Sequence, residues 1–289
     1  LFEDMFRDYT EEELAIIKAK YGTEGDVLEA PLLIAQKARD MLRHYVDVVM
    51  PEGFKAQVVA TSRQAAVTYH EKLLAARAEL VAQLEALPGA VLTMSEDELA
   101  AQDADTRFLV RAYPLLPKFR AMDVAVVISG DHNDPEAWRD WTDKEKQKDL
   151  TIRFKRRLAE KRTDKTDPLC ILIVNNMLIT GFDAPVEQAM YLDRKIVAHD
   201  LLQAIARVNR TERGKKCGYV VDYIGVARHL KQALEDYDSE DIDGALVNIS
   251  VELPKLLDRR ARVVAVYKER GITDLFGQVQ ECVDLLADL

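Results

Sequence analysis

The sequence predicts an α/β domain built on a mostly parallel sheet, with helical segments before and after it. Five short apolar, β-branched runs carry that expectation: Ala56–Ala60, Val124–Ser129, Cys170–Val174, Ala189–Asp193 and Gly218–Tyr223. Stretches with helical spacing separate them, and strands alternating with helices imply right-handed crossovers between parallel neighbours. The third run, CILIV, is apolar at every position. That is the pattern of a strand covered on both faces rather than one.

Composition bounds the rest. The 289 residues suffice for one large domain with appendages, and 48% apolar with 31% charged residues describe an ordinary globular chain. Forty basic against fifty acidic side chains leave a net charge of −10, so any nucleic-acid contact must rest on a local patch. Cys170, Cys217 and Cys282 are odd in number and far apart, without disulfide or zinc spacing, which fits a reduced cytoplasmic chain. The five histidines are equally scattered, and no metal site is expected. No apolar run approaches the ~20 residues that span a bilayer, so no membrane association is expected. The chain opens on LFEDMFRDYTEEEL without an initiator methionine, and a longer parent is expected.

Taken in order, Thr10 caps a first helix with Glu13 three residues on, and Gly22 stops it. A second helix runs from about Pro31 to Val49 on Leu33, Ile34, Lys37, Ala38, Met41, Leu42 and Tyr45, with no chemistry visible in it. After the first strand, Thr61 or Ser62 caps a helix whose Ala66, Tyr69, Leu73, Ala76, Leu80, Leu84 and Leu87 keep 3,4 spacing. Residues 88–121 read as an insertion, partly an acidic loop (SEDELAAQDAD) and partly helical up to Pro114 and Pro117. The second strand ends in the turn GDHNDPE. Residues 143–162 then form an amphipathic helix on Leu150, Phe154 and Leu158. Its many lysines and arginines are either a solvated face or a DNA-contacting one. Beyond the fifth strand come a helix from about Val226 to Tyr237, the linker DSEDIDG, and further helices over 245–289 marked by Phe276, Val279, Val283 and Leu286. The expected boundaries are a helical lead-in at 1–50, the α/β domain at 51–237, and a C-terminal helical region from 238 to 289.

Chemistry concentrates in Leu201–Arg213, LLQAIARVNRTER. As a helix it places Gln203, Arg207 and Arg210 within roughly 60° of one another, opposite Leu201, Ile205 and Val208. Two readings stand: a solvated basic face, or a pair of guanidiniums held against phosphate, which their planar forks suit. Ligands of open parallel sheets bind at the carboxyl ends of the strands. Three segments are expected there: Thr61-Ser62-Arg63, Asn175 through Pro185, and the loop leading from Asp193 into the arginine helix. Thr180-Gly181-Phe182-Asp183 puts a hydroxyl, a flexible glycine and a carboxylate in one loop, able to bond a phosphate or ribose or to hold an arginine.

In combination these pieces are more specific. The order VVATSR, ILIVNNMLITGFDAP, MYLD, LLQAIARVNRTERGKKCGYVVDY resembles the second RecA-like (P-loop NTPase-like) motor domain of superfamily 2 helicases and translocases. More closely, it is similar to the R (motor and restriction) subunit of type I restriction-modification enzymes. The likeness runs from about Ile34 to Tyr237. Generic relatives carry a glycine before the first arginine and Ala-Gly between the two; Ala206 and Val208-Asn209 stand here, as in the type I subunit. The pair Asn175-Asn176 is less typical.

The resemblance implies that Gln203, Arg207 and Arg210 face ATP bound on a neighbouring first motor domain, with Arg207 as an arginine finger and Arg210 its partner. It also implies that Gly181 and Asp183 couple nucleotide to DNA, and that Thr180, Ser62 and Arg63 contact the DNA backbone. ATP and Mg2+ would be held mainly by an upstream domain, because no GxxxxGK[ST] loop, magnesium-holding acidic segment or nuclease signature occurs in these 289 residues. Implied partners are double-stranded DNA, an upstream motor domain and nuclease domain of the same chain, and methyltransferase and specificity subunits. Two rivals remain at this stage: another superfamily 2 helicase or remodeller, and a non-catalytic nucleotide-binding scaffold module. If the motor reading holds, Arg207 and Arg210 should look idle and solvent-facing in this chain.

Overall fold

The computed structural model describes residues 28–179, 181–196 and 198–224, together with 264, 267, 268 and 272. The expected helices at Thr10–Gly22, at 226–237 and over 245–289, and the linker between the last two, lie outside the described residues. Contacts divide the chain into two compact units, Leu1–Leu230 and Lys231–Leu289. In the second, the amide of Ile272 donates to the carbonyl of Tyr267, and both side chains are buried.

Helix α1 (Pro31–His44) opens the described part of the first unit. Proline suits its first position, where the missing N–H has no helical partner to lose. Strand β1 (Lys55–Ala60) follows, then the long helix α2 (Arg63–Glu85), whose N-cap Ser62 accepts the Ala65 amide. Of the two expected caps, Ser62 is the one used. Residues 88–121 are more ordered than their acidity suggests. They form α3 (Gly89–Leu92), α4 (Glu96–Ala100), α5 (Ala104–Ala112) and α6 (Leu116–Ala121). Ser95 and Glu98 make a reciprocal capping box and Asp103 caps α5, so the carboxylates start helices here instead of breaking them.

Strand β2 (Asp123–Val127), helix α7 (Arg139–Thr142) and helix α8 (Lys144–Phe154) come next. The amphipathic helix expected to reach 162 stops at Phe154. Beyond it the chain pairs in a small parallel ladder, β3 (Arg157–Leu158) with β4 (Thr166–Asp167). Arg153 is tied at the same point to buried Asp167 (Nη2–Oδ1 3.0 Å) and to Asp123 (2.6 Å). Strands β5 (Leu169–Val174) and β6 (Glu187–Asp193), helix α9 (Ala198–Val208) and strand β7 (Tyr219–Asp222) complete the unit.

The five long strands form one sheet in the order β2-β5-β1-β6-β7, every neighbour parallel, which is the α/β fold expected. Helices α1 and α2 share one face, burying Ile34, Met41, Tyr69 and Leu73 against Val58, Val126, Ile171 and Tyr191. The helix expected as part of a lead-in is therefore built into the core. Helices α8 and α9 belong to the other face, as right-handed crossovers require. Between them the described residues form no third helix. The connection from β5 to β6, residues 175–186, crosses that face as a bent loop, and Phe182 within it packs on Phe154 of α8 (ring centroids 6.1 Å).

Lys37 is not the inert position its helical spacing suggested. Its ammonium meets Asp193 at the end of β6 (2.5 Å), and the Tyr69 hydroxyl donates to the second carboxylate oxygen (2.6 Å). Burial pushes the Asp193 carboxyl above its ordinary range, against the pull of Lys37 and Tyr69. Lys37 is 6% exposed and Asp193 fully buried, so removing one partner strands a charge in the core. The variant Lys37→Met should lose about 3 kcal/mol in denaturant unfolding, and Lys37→Met/Asp193→Leu should recover much of it.

Candidate functional site

The register of the sheet decides where the expected site residues lie. Val174 pairs with Val59 and Asp193 with Ala60, so both end at the carboxyl edge with Ser62 and Arg63. Glu187 pairs with Lys55 at the amino edge. The loop from 175 to 186 thus begins at one edge and finishes at the other. Helix α9 makes the same journey, since eleven residues rise about 16 Å, close to the height of the sheet. Gly181 to Pro185, Arg207 and Arg210 therefore belong to the amino-edge side, not the carboxyl edge where all three segments were expected. Only Ser62, Arg63, Asn175 and the start of α9 stay at the carboxyl edge.

Three cations from residues 207–215 grip three points of the crossing loop. Arg207 donates through Nη1 to the carbonyl of Leu178, and its guanidinium carbon lies 5.8 Å from the Phe182 ring centre. Arg210 pairs with Asp183. Lys215 donates to the carbonyls of Glu187 (2.5 Å) and Pro185 (3.2 Å). The loop is bent to present these acceptors: Leu178 has φ 61° and Gly181 φ 71°. Glycine takes that left-handed region freely, but leucine does so at a cost of order 1–2 kcal/mol. Its carbonyl is the one Arg207 holds.

The expectation that the arginines look idle and solvent-facing is overturned for Arg207, whereas Arg210 is exposed as expected but ion-paired rather than idle. Arg207 is 5% exposed and engaged, because it sits one turn beyond fully buried Ala204 and at the flank of the face that carries Leu201 and Val208. That buried face includes Ala204, while Ile205 is only half-buried. Arg210 is half-exposed and ion-paired. It also lies beyond the end of α9, where Gly218 comes so close that a Cβ would meet the Val208 carbonyl oxygen at 2.3 Å. Gln203 is exposed on α9.

At the carboxyl edge Ser62 is occupied as a cap, and Arg63 is held by Asp134 from the turn after β2, with its guanidinium 5.1 Å from the Trp138 ring centre. Thr180 lies outside the described residues. Asn175 Nδ2 donates to the Ala60 carbonyl (2.9 Å), and Arg194 donates to the Asn175 carbonyl (2.7 Å) and to Asn176 Oδ1. The unusual asparagine pair thus fastens the ends of β1, β5 and β6 together.

Sequence reading missed a set of buried polar groups beneath the loop. Glu187 is fully buried with neither carboxylate oxygen hydrogen-bonded, and Gln57 is fully buried with both amide atoms unpartnered. Arg207 Nε is likewise without an acceptor. Burial pushes the Glu187 carboxyl up to about 8, opposed by Arg207 and Lys215, and lowers Arg207 and Lys215 in turn. Lys55, fully buried with its ammonium 5.6 Å from the Phe154 ring centre, is brought down to about 8 by burial. Polar residues at Lys55, Gln57, Glu187 and Gln188, at the starts of otherwise apolar strand runs, were the available signal. Among the described residues, no group of three or more His, Cys, Asp and Glu side chains is placed to hold a metal ion, and no helix is long and apolar enough to cross a membrane.

A five-stranded, all-parallel sheet with helical crossovers and a cation-gripped loop across one face defines an open α/β domain. The family model for domain 3 of the type I restriction enzyme subunit R matches residues 52–225, more than half of the chain. The chain belongs to that family. It is 39% identical over 127 residues to the type I restriction enzyme HindI endonuclease subunit of Haemophilus influenzae, covering 43% of this chain and 11% of that one. With the type I restriction enzyme SauCOLORF180P endonuclease subunit of Staphylococcus aureus it shares 36% identity over 97 residues, 33% of this chain and 10% of the other. A solved fragment assigned to an HsdR subunit of a type I restriction enzyme from Vibrio vulnificus YJ016 gives a distant likeness. It covers 74% of this chain and 31% of that one at a TM-score of 0.40 and 18% identity. The chain spans about a tenth of the length of the two endonuclease subunits.

Two measurements check this geometry. Glu187 has a folded pKa above its unfolded value, so its contribution to stability is full below about pH 4.5 and is lost as pH rises through about 8. Urea unfolding between pH 5 and 8 should show stability falling with pH, and Glu187→Gln should flatten that slope. Arg207→Ala should cost about 2 kcal/mol, because a charged donor to a part-buried carbonyl disappears. Arg210→Ala should cost less than about 1 kcal/mol, since its ion pair is half-exposed and screened.

Proposed function

We propose that this chain is the second motor domain of a type I restriction enzyme R subunit, supplying side chains to the ATP hydrolysis that drives double-stranded DNA translocation before endonucleolytic cleavage. The observation that carries the reading is the joining of the Gly181–Asp183 loop to Arg207 and Arg210. Anything that draws on either arginine acts on the loop as well. The partners that follow are duplex DNA, a preceding motor domain and nuclease domain, and the methyltransferase and specificity subunits of the complex.

The residues present fit an anionic nucleotide at the outer pair. Arg210 already holds a carboxylate oxygen in a half-exposed position, and exchanging it for a phosphate oxygen replaces one charge-assisted hydrogen bond by another. Gln203 is exposed on the same segment. ATP with Mg2+, bound mainly by the preceding domain, would supply the free energy of phosphoryl transfer. Arg210 and Gln203 would then bind and orient its phosphates. Arg207 keeps its charge at any working pH despite burial, holds Leu178, and leaves one Nε–H for a further acceptor. It acts on the same phosphates from behind the loop. Ser62 and Arg63, a sheet's height away, would meet the DNA backbone, and Thr180, adjacent in sequence to Gly181, would be a separate contact to it.

In the full-length R subunit assembled with its partners, Arg210→Ala should lower DNA-stimulated ATPase about 10³-fold while nucleotide binding persists, the low end of what arginine fingers contribute. Unchanged turnover would sink the reading and favour a non-catalytic module. Triplex displacement by the same complex should stop in step with the ATPase, and the 289-residue chain by itself should show no ATP turnover.

A further inference from the structure

A carboxyl group sealed inside a protein without a hydrogen bond costs stability. Among the described residues, seven buried side-chain nitrogen and oxygen atoms lack a partner, and six of them belong to Gln57, Glu187, Gln188 and Arg207. Glu187 is the extreme case, since it is fully buried with both side-chain oxygens free. Its backbone is engaged: the amide donates to the Ala184 carbonyl (2.9 Å), and its own carbonyl accepts from Lys215 (2.5 Å). The residue is thereby fixed at the exit of the crossing loop with only its carboxyl unspent.

Two cations act on that carboxyl, Arg207 first and Lys215 second. Lys215 directs its ammonium to the backbone carbonyls of Pro185 and Glu187. Arg207 has spent Nη1 on Leu178 but keeps its Nε–H, buried and without an acceptor. Of the charged groups that act on Arg207, Glu187 is in turn the strongest. One unmet donor and two unmet acceptors thus lie within electrostatic reach of one another, on helix α9 and on the strand β6 against which it packs.

The Nε edge and the Nη1 corner of a planar guanidinium point in different directions, so Leu178 and Glu187 do not compete for one donor. A protonated carboxyl still accepts through its carbonyl oxygen, so burial leaves Glu187 able to take that bond. Gln57 is unmet too, but it is neutral and lies on β1, one strand beyond β6. Asp183 and Arg210 also act on Arg207. When Arg210 exchanges Asp183 for a phosphate oxygen, the outer tie on the loop is undone, and the place of Arg207 depends on its inner contacts.

We propose that Glu187 is a positioning residue for Arg207: its carboxyl takes the free Nε–H once nucleotide is bound, and the guanidinium is then fixed from beneath as well as by Leu178. The inference rests on the reading of Arg207 and Arg210 as phosphate-facing groups and adds the residue that sets one of them. Glu187 itself touches neither nucleotide nor DNA.

The test uses the full-length R subunit assembled with its partners. It compares Glu187→Leu, which fills a similar volume without an acceptor, with Glu187→Gln, which keeps one. Glu187→Leu should lower kcat of the DNA-stimulated ATPase about 10- to 100-fold, the range of a lost hydrogen bond to a charged group, with KM for ATP changed less than about 2-fold. Glu187→Gln should lose no more than about 3-fold, and Glu187→Leu should add nothing to Arg207→Ala. A readout independent of turnover is hydrogen exchange with a non-hydrolysable ATP analogue. Residues 176–186 should gain protection in the unaltered protein and in Glu187→Gln, but not in Glu187→Leu. Unchanged kcat in Glu187→Leu, or an equal loss with and without Arg207, overturns the positioning role, while Arg210→Ala still decides the motor reading. A loss in Gln57→Leu with none in Glu187→Leu assigns the Nε–H to Gln57 and overturns it as well. Should the leucine variant not fold, either of two results overturns the proposal: no analogue-dependent protection in the unaltered protein, or a Glu187→Gln loss that persists beside Arg207→Ala.

Discussion

Much of this domain depends on how a loop is held where a helix would ordinarily lie. The β5–β6 connection crosses the sheet over its central strand as turns and loop, and charged donors from the end of α9 and the segment after it fasten it to the fold. Arg207 takes a carbonyl that a left-handed leucine presents, Arg210 takes a carboxylate, and Lys215 takes two carbonyls. Backbone acceptors that water would otherwise have to satisfy are thereby paired. The arrangement explains why a basic segment directly follows α9 and why Gly218 is glycine. The return into β7 passes so close to the end of α9 that no side chain fits.

The same register separates two chemistries along one face and one edge. Ser62 and Arg63 open α2 at the carboxyl edge, beside the Asn175–Asn176–Arg194 fastening, whereas Asp183, Arg207 and Arg210 gather toward the amino edge. Helix α9 runs from one to the other as a single rigid element with Leu201, Ala204 and Val208 buried on the sheet. In a domain of the type I R subunit family, this geometry gives the proposed nucleotide-facing groups and the proposed DNA-facing groups a shared mechanical element.

The sheet itself was legible in the residues. All five long strands lie where β-branched runs put them, and α2 follows the 3,4 spacing from Ala66 to Leu84, because burial of one continuous face is what periodicity records. The acidic stretch near 95–105 misled because polarity alone cannot distinguish a loop from well-capped short helices; Ser95 with Glu98 carried the correction. Within the site, the types and identities of the cations were readable, but their burial was not. Arg207 lies at the margin of an apolar face, and a helical projection does not tell which side of the margin the neighbouring loop will cover. Nor does linear spacing reveal that a glycine-containing loop and a helix C-terminus both end at the same edge; strand register does. Lys37, remote from Asp193 in the chain, gave no local sign of its partner.

The crossing loop also has more chain than its path demands. About a dozen residues stretched out would reach about 40 Å, while the strand it spans, Lys55–Ala60, rises about 20 Å. The surplus is taken up in the bends at Leu178 and Gly181, so tension is absent and the path is set by its attachment points rather than by its length. Shortening by a residue or two between attachments is then geometrically feasible, whereas moving an attachment by one residue would put a side chain where a carbonyl is needed. The loop behaves as a slack cord with fixed knots, and it is the knots that the sequence has to specify.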